Sequence, residues 1–302
     1  MSSFDAYIAL RRGGAGRVLA HERMARHTTF RIGGEATAFV ECDTFEQLTA
    51  AITICEEQES DWTIVGKGSN LLISDRGYDG IILTLGKEFK QTSRTTPETV
   101  TCGAGASLAM LVQEAFNIGL PGFEFAVGIP GSLGGAIFMN AGTKEATIGQ
   151  VVKSVVVYKP GAGLRRYYGA DLPWIYRYSG IPADEVILEA EIAVKEEPKP
   201  YIQAKMEGSL NRRRKSQPIN LPSAGSIFRN PVGASAGRLI EDAGFKGYKI
   251  GGAVVSEKHA NFIVNEGGAT AADVLMLMRA IRKRVKEIYG IELQPEIKLL
   301  GF

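Results

Sequence analysis

Apolar and polar positions along this chain switch between the two-residue period of strands and the three-to-four spacing of helices, and the switches divide it into three stretches. The opening, Met1 to about Thr28, reads as a short helix or arm broken at Gly13–Gly14. Thr37–Glu41 predicts a short strand. Thr44 then N-caps a helix running to about Glu59, with Gln47 completing a capping box. Trp62–Val65 is an apolar strand that ends directly in a glycine loop, and Gly80–Leu85 is another strand. The polar run Gln91–Glu98 separates this stretch from the next.

The second stretch opens with a strand at Thr99–Cys102 and a helix over Ser107–Ile118 that Gly119 ends. Pro121–Gly142 shows little regular pattern. Val151–Tyr158 and Leu164–Tyr168 flank Pro160–Gly163 and read as a hairpin, followed by a strand at Val186–Val194. Lys195–Pro200, charged and Pro-containing, reads as a linker. In the third stretch, Tyr201–Lys215 is helical and ends strongly basic, and Ala236–Ala243 is a short helix stopped by Gly244. Gly252–Val255 and Phe262–Val264 are strands, Thr270 with Asp273 caps a long amphipathic helix to about Tyr289, and Ile297–Leu300 is a last strand. The pattern predicts an α+β chain with lobes at 1–96 and 97–200 and a further domain at 201–302.

A length of 302 residues supports two or three compact units with their own cores. A formal charge of +2 is too small for a nucleic-acid footprint, so an anionic partner must meet a local basic cluster. Three cysteines without CxxC spacing, beside three histidines, argue against a zinc site and fit a reducing compartment. The N-terminus lacks an apolar leader core and no run near 18 apolar residues occurs, so the expected location is the cytoplasm, with no membrane partner and no metal. The 36 glycines are clustered, and clusters mark either tight turns or places where backbone comes close to a ligand.

Two of these clusters carry candidate chemistry. The first, Gly66-Lys67-Gly68-Ser69-Asn70-Leu71, follows an apolar strand, as a plain turn would or as a nest of backbone N–H groups for phosphate oxygens. It lacks the third glycine of a Rossmann fingerprint and the GK[ST] of a Walker A loop. The second runs Gly128-Ile129-Pro130-Gly131-Ser132-Leu133-Gly134-Gly135-Ala136 and continues to Asn140-Ala141-Gly142. Almost without charge, it is either a buried turn or a bed on which a flat ligand lies against main chain.

With His27–Gly34 ahead of them and Cys102-Gly103-Ala104-Gly105 between, these segments resemble the two-lobed FAD-binding domain of vanillyl-alcohol-oxidase-type flavoproteins. The C-terminal third carries Pro222-Ser223-Ala224-Gly225-Ser226-Ile227-Phe228-Arg229-Asn230-Pro231 and Gln294-Pro295-Glu296-Ile297-Lys298-Leu299-Leu300-Gly301. Together with Tyr176-Arg177-Tyr178-Ser179, these are similar to the signatures of the UDP-N-acetylenolpyruvoylglucosamine reductase family. The compact stretch Leu164–Val186 looks like that family's shorter subtype.

The resemblance implies a two-lobed FAD-binding domain joined to an α+β substrate-binding domain. It also implies noncovalent FAD, because no Cys/His pair stands at a covalent attachment motif, with NADPH as reductant and a UDP-linked amino sugar as substrate. In that reaction an enol ether bearing a carboxylate is reduced, so negative charge develops as an enolate and the neighbouring carbon needs a proton. The family pattern gives Arg177 the carboxylate, since guanidinium is always charged and matches it bidentately. Glu296 becomes a neutral acid hydrogen-bonded to the enolate, and Ser226 the proton donor. Within the basic run Arg212-Arg213-Arg214-Lys215, a solvated helix end by itself, Arg214 becomes a diphosphate ligand. Tyr176, Asn230, His259 and Lys298 fall at substrate-contacting positions, and a monomer is the expected state. Two other functions remain open on the same scaffold: an oxidase or dehydrogenase of a small alcohol, and a non-catalytic nucleotide-sugar-binding module.

Overall fold

Thr44, Ser132, Ser235 and Thr270 each stand in extended backbone and accept the N–H of the residue three positions on, and each starts a helix in the computed structural model. Such a cap is worth about 1 kcal/mol. The structure describes residues 3–117, 122–143, 145–194 and 197–302. In chain order the elements begin with α1 (Ser3–Arg12), β1 (Arg17–Arg23), β2 (Glu35–Cys42), α2 (Phe45–Glu57), β3 (Trp62–Ile64), β4 (Leu71–Ile73) and β5 (Tyr78–Leu85). They continue with β6 (Thr92–Thr96), β7 (Thr99–Gly103), α3 (Leu108–Asn117), α4 (Leu133–Phe138), β8 (Val152–Lys159), β9 (Gly163–Tyr168), β10 (Val186–Ala193) and α5 (Lys199–Ser216). The remainder is β11 (Ser223–Ser226), α6 (Ala236–Asp242), β12 (Lys249–Ile250), β13 (Ala253–Val255), β14 (Phe262–Asn265), α7 (Ala271–Tyr289) and β15 (Lys298–Leu300).

Contacts within the chain separate two units, one of Met1–Ala20, Thr37–Lys67 and Gly80–Asn211, the other of His21–Ala36, Gly68–Asp79 and Arg212–Phe302. The first unit holds most of two sheets, in the orders β1-β2-β5-β3 and β6-β7-β10-β8-β9. In the former, β3 runs parallel to β5 with Trp62 opposite Ile81; the latter is antiparallel throughout. Its core includes Val40, Leu48, Ile52, Leu83, Val155, Val157 and Ile192. In the second unit the antiparallel sheet β11-β14-β13-β12 packs with α6 and α7, and β15 pairs in parallel with β4. Phe30, Leu72, Phe228, Ile263, Val274 and Leu277 fill its core. Each unit thus removes its own apolar side chains from water.

Several predicted elements match within a residue or two, including the hairpin β8–β9, where Tyr158 faces Leu164. The Thr270/Asp273 capping box is reciprocal, and Asp75 adds its carboxylate to the N–H groups of Ala271 (2.8 Å) and Ala272 (3.0 Å). Gly290, at φ 69°, ends α7 in the left-handed conformation that glycine tolerates best. The Thr44 box is only half formed, because the Gln47 side chain accepts the N–H of Asp43 instead (2.7 Å).

Six of these elements, β1, β4, β6, α4, β11 and β12, are absent from the pattern reading. The polar run Gln91–Glu98 contains β6, an exposed edge strand whose threonines bond across to the next strand, Thr95 to Thr101 at 2.6 Å and Thr96 to Thr99 at 2.7 Å. β-Branched residues suit a pleated surface even where no face is apolar. Likewise β1 and β11 lack apolar alternation, and α4 forms from a glycine-rich stretch because Ser132 caps it and Leu133, Ala136 and Ile137 are buried. Ile118, Gly119, Pro121 and the Lys195 end of the linker lie outside the described residues. Among the described residues no helix is long and apolar enough to cross a membrane, and no group of three or more His, Cys, Asp or Glu could hold a metal ion.

Candidate active site

In the first unit, three glycine-bearing segments meet around Ser132. Val65 N–H still donates to Leu83 (2.9 Å), and the chain then leaves the sheet at Gly66. A Cβ on Gly66 would collide with Ser132 Oγ, so only glycine lets the two glycine loops approach. From the other side, Leu133 N–H donates to Ala106 (2.9 Å), Gly134 N–H to Ala104 (2.8 Å) and Leu108 N–H to Gly131 (3.0 Å). These bonds stitch the second loop to the turn after Cys102. Gly128 (φ 73°) and Gly131 (φ 140°) take conformations that side chains rarely adopt. The result is exposed main chain at Gly66, Gly128 and Gly135, beside half-buried Ile129 and buried Ala136. A Cβ at Gly135 would meet only Ser132 Oγ, at 3.4 Å. Bare backbone with Lys67 as its charge fits a flat, anionic cofactor such as FAD.

The Tyr-Arg-x-Ser element folds as a two-residue reversal. Ile175 and Tyr178 exchange both backbone hydrogen bonds (3.1 Å each), with Tyr176 and Arg177 at the tip. Arg177 sits at φ 58°, which costs a non-glycine residue about 1–2 kcal/mol. Its guanidinium lies 4.9 Å from the centroid of the Tyr176 ring, a cation–π contact. Two residues behind hold this tip in place. Asn140 donates to Ile175 O (2.9 Å) and accepts Gly149 N–H (3.1 Å), so its amide is engaged within the protein. Ser179 Oγ donates to Phe138 O (3.1 Å).

The boundary between the units falls between Lys67 and Gly68, inside the first glycine loop. In the second unit, a Cβ on Gly68 would collide with the His27 carbonyl, and Thr29 N–H donates to Gly68 O (3.2 Å). Asn70 Nδ2 donates to Glu296 O (3.3 Å) and Lys298 N–H to Asn70 O (2.9 Å), while Leu71 faces Lys298 in the β4–β15 pair. Asn70, read from the sequence as a cofactor ligand, therefore also carries the backbone on which Glu296 and Lys298 stand. Nothing in the sequence signals a contact spanning 226 residues.

Ser226 follows a bulge. Ser223 faces Val264 and Ser226 faces Phe262, so three steps on β11 match two on β14. Gly225 takes the extra step at φ 76°, with open space where a Cβ would stand. A bulge of this kind re-aims the next side chain. Beyond it Ile227 O accepts the N–H of Glu296 (2.7 Å), so Ser226 and Glu296 stand on directly hydrogen-bonded segments. Asn230 Oδ1 accepts Ala236 N–H (2.9 Å). Lys298 is exposed, and Glu296 is buried.

His259 accepts the N–H of Asn261 on Nδ1 (3.2 Å), which leaves Nε2 as the protonated nitrogen of the neutral ring. Burial holds its pKa below the ordinary histidine value, and Lys246 adds repulsion. In the basic run Arg214 is exposed, and Lys258 Nζ caps its carbonyl (2.9 Å) at the end of α5. Arg213 is half-buried with Nε unpaired, and burial lowers its pKa. Burial also pushes the Cys42, Cys55 and Cys102 thiols up to about 12, which makes them inert.

Residues 217–300 match the UDP-N-acetylenolpyruvoylglucosamine reductase C-terminal domain, and residues 36–164 match an FAD binding domain. The chain is 44% identical over 288 residues to the UDP-N-acetylenolpyruvoylglucosamine reductase of Heliobacterium modesticaldum, covering 95% of this chain and 91% of that protein. This chain belongs to the UDP-N-acetylenolpyruvoylglucosamine reductase family. The member from Caldanaerobacter subterraneus is 42% identical, covering 95% of this chain and 94% of that one. The crystal structure of the family member from Thermus caldophilus superposes with a TM-score of 0.82 at 35% identity, over 94% of this chain and 98% of that one. The family fold is α+β, as the sequence pattern predicts.

Proposed function

We propose that this chain reduces UDP-N-acetylglucosamine enolpyruvate to UDP-N-acetylmuramate in peptidoglycan precursor synthesis. The proposal includes noncovalent FAD, NADPH as reductant, a cytoplasmic location and a monomer. Lobes 1–96 and 97–200 would hold the cofactor, with 201–302 for the substrate. Family membership supports the reaction, and the observation that carries it into chemistry is the hydrogen bond from Glu296 N–H to Ile227 O at 2.7 Å, which ties the segments of Ser226 and Glu296 together.

Bound FAD supplies the hydride equivalent and is recharged by NADPH. Gly66, Lys67, Gly68, Ser69, Asn70 and Leu71 of the first loop and Gly128–Ala136 of the second are the residues that would hold it, by backbone contact more than by side chains. Asn140 serves from behind, through the Ile175 carbonyl. Arg177 pairs with the substrate carboxylate, and its fixed charge favours the enolate over the ground state. Glu296 donates a hydrogen bond to the same developing charge. Ser226 Oγ gives its proton to the substrate carbon next to the carboxylate; a weak acid suffices because a carbon-centred enolate is strongly basic. Arg214 and Lys298 meet the diphosphate, while Tyr176, Asn230 and His259 line the sugar nucleotide.

The deciding experiment records the visible spectrum of the purified protein, bleaches it anaerobically with NADPH and then adds the enolpyruvate substrate. A flavin band that bleaches and returns on substrate is expected. A band that returns only with oxygen points to an oxidase, and no flavin band after incubation with FAD overturns the reading altogether. Arg214→Ala is expected to raise the substrate KM about 10-fold or more with a smaller fall in kcat, the pattern of a binding contact made equally in ground and transition states. An unchanged KM in steady-state assays would return Arg214 to the solvated helix end.

A further inference from the structure

One buried side chain that neither signature contains braces the strand that follows Ser226. The β11–β14 ladder ends where Ser226 faces Phe262. Past that point the chain pairs on one side with Pro295, through an antiparallel bridge at Phe228, and on the β14 side Asn261 takes over. Its main-chain carbonyl accepts the N–H of Ile227 (2.9 Å). Its side-chain Oδ1 accepts the N–H of Phe228 (3.0 Å), and its Nδ2 donates to the Phe228 carbonyl (2.7 Å). One amide side chain thus makes both bonds that a paired strand would make. Ile227 then receives Glu296 N–H on its own carbonyl (2.7 Å), and Arg229 N–H donates to Gln294 O (2.8 Å). Asn261 is only 3% exposed, so water offers no substitute for either bond.

We infer that Asn261 is a positioning residue for the proton-transfer step: its side-chain clamp on Phe228 sets where Ser226 Oγ stands relative to Glu296. The inference rests on the reading of Ser226 as proton donor. Ser226 lies just after a bulge in which Gly225 takes φ 76°, with nothing within 4 Å of a Cβ position. Two residues downstream of the bulge, the paired bonds from Asn261 hold Phe228. A displacement of about 1 Å at a reacting group costs on the order of 100-fold in rate. An aspartate at 261 keeps an acceptor for Phe228 N–H but sets a second oxygen against the Phe228 carbonyl, which loosens the clamp with little change in volume.

The test compares Asn261→Asp, Ser226→Ala and the double variant as full-length holoenzymes, measuring the two half-reactions separately by stopped flow. Asn261→Asp is expected to slow flavin reoxidation by the enolpyruvate substrate about 10- to 100-fold, with flavin reduction by NADPH within about 2-fold of wild type. It is expected to recover as pH falls and a protonated carboxyl regains the donor to Phe228 O. In the Ser226→Ala background the same substitution is expected to cost less than about 3-fold, because residues acting through one group are not additive. Equal losses in both backgrounds would overturn the inference while leaving Ser226 as donor. A Ser226→Ala variant with a normal reoxidation rate would overturn both readings. Should Asn261→Asp not yield holoenzyme, Asn261→Ser, an uncharged variant whose shorter side chain cannot make both bonds to Phe228, is measured against the same rate criteria in both backgrounds.

Discussion

Replacing Ser226 by alanine is expected to slow reoxidation of the flavin by substrate about 10²–10⁴-fold, the usual loss when a positioned proton donor is removed. Flavin reduction by NADPH is expected to stay near normal. The asymmetry follows from what the hydroxyl does. It adds no charge to the cofactor bed, whose described contacts at Gly66, Gly131 and Gly134 run through Ser132, Leu108 and Ala104. Its task is one proton at the substrate carbon. The backbone should be indifferent to the change, since Ser226 faces Phe262 through main-chain pairing and alanine fits the same bulge. Rapid-mixing traces of the two half-reactions decide the matter. An equal fall in both would show that the serine matters for assembly and not for proton transfer.

The second large effect is expected at Arg177. Its φ of 58° costs about 1–2 kcal/mol for a residue with a Cβ, and glycine adopts the same conformation without that penalty. Glycine loses about 0.5–1 kcal/mol of this advantage through a more disordered unfolded chain, and the cation–π contact with Tyr176 is lost as well. Stability of Arg177→Gly is therefore expected close to wild type, with a Tm within a few degrees and full flavin content. Turnover is expected to fall about 10²–10³-fold, the effect of removing one electrostatic stabiliser of a developing oxyanion. Arg177→Lys keeps the charge and the strain but not the planar fork, and should lie between the two. Thermal melts beside kcat measurements would separate the outcomes. A variant that stays active, or one that loses several kcal/mol of stability, would mean the strain serves the fold and not the chemistry.

The sequence exposes those parts of the molecule whose physics is local. Helix caps at Thr44 and Thr270 are legible because a hydroxyl three residues before a free N–H is a short-range device. The glycine loops are legible because a missing Cβ is written directly in the chain, even though its reason, Ser132 against Gly66, is not. What stays hidden is pairing at long range. The β4–β15 ladder joins Leu71 to Lys298, and no periodicity within three residues of strand could announce its partner. β6 is invisible because its stability comes from threonine pairs on an exposed edge, and pattern reading looks for a buried face. The candidate site divides the same way. Arg177, Ser226 and Glu296 stand in recognisable motifs and Asn140 in the glycine-rich segment singled out as candidate chemistry, though its hold on Ile175 is not written there; Asn261 looks like an ordinary polar residue beside apolar ones. An amide that acts by imitating backbone leaves no motif.

The second unit is built from chain segments at 21–36, 68–79 and 212–302, and this has a consequence for the order of events during synthesis. Phe30 and Leu72, part of its core, leave the ribosome when most of the helices and strands that will cover them do not yet exist. Asp75 waits almost two hundred residues for the start of α7 that it caps, and β4 waits for the final strand of the chain. Closing such distant contacts carries a loop entropy that must be met before burial rewards it. Until Lys298–Leu300 seats beside Leu71–Ile73, the Glu296 carbonyl has no partner in the Asn70 amide, so the segment that carries Glu296 is fixed only after distant parts of the unit have all been made.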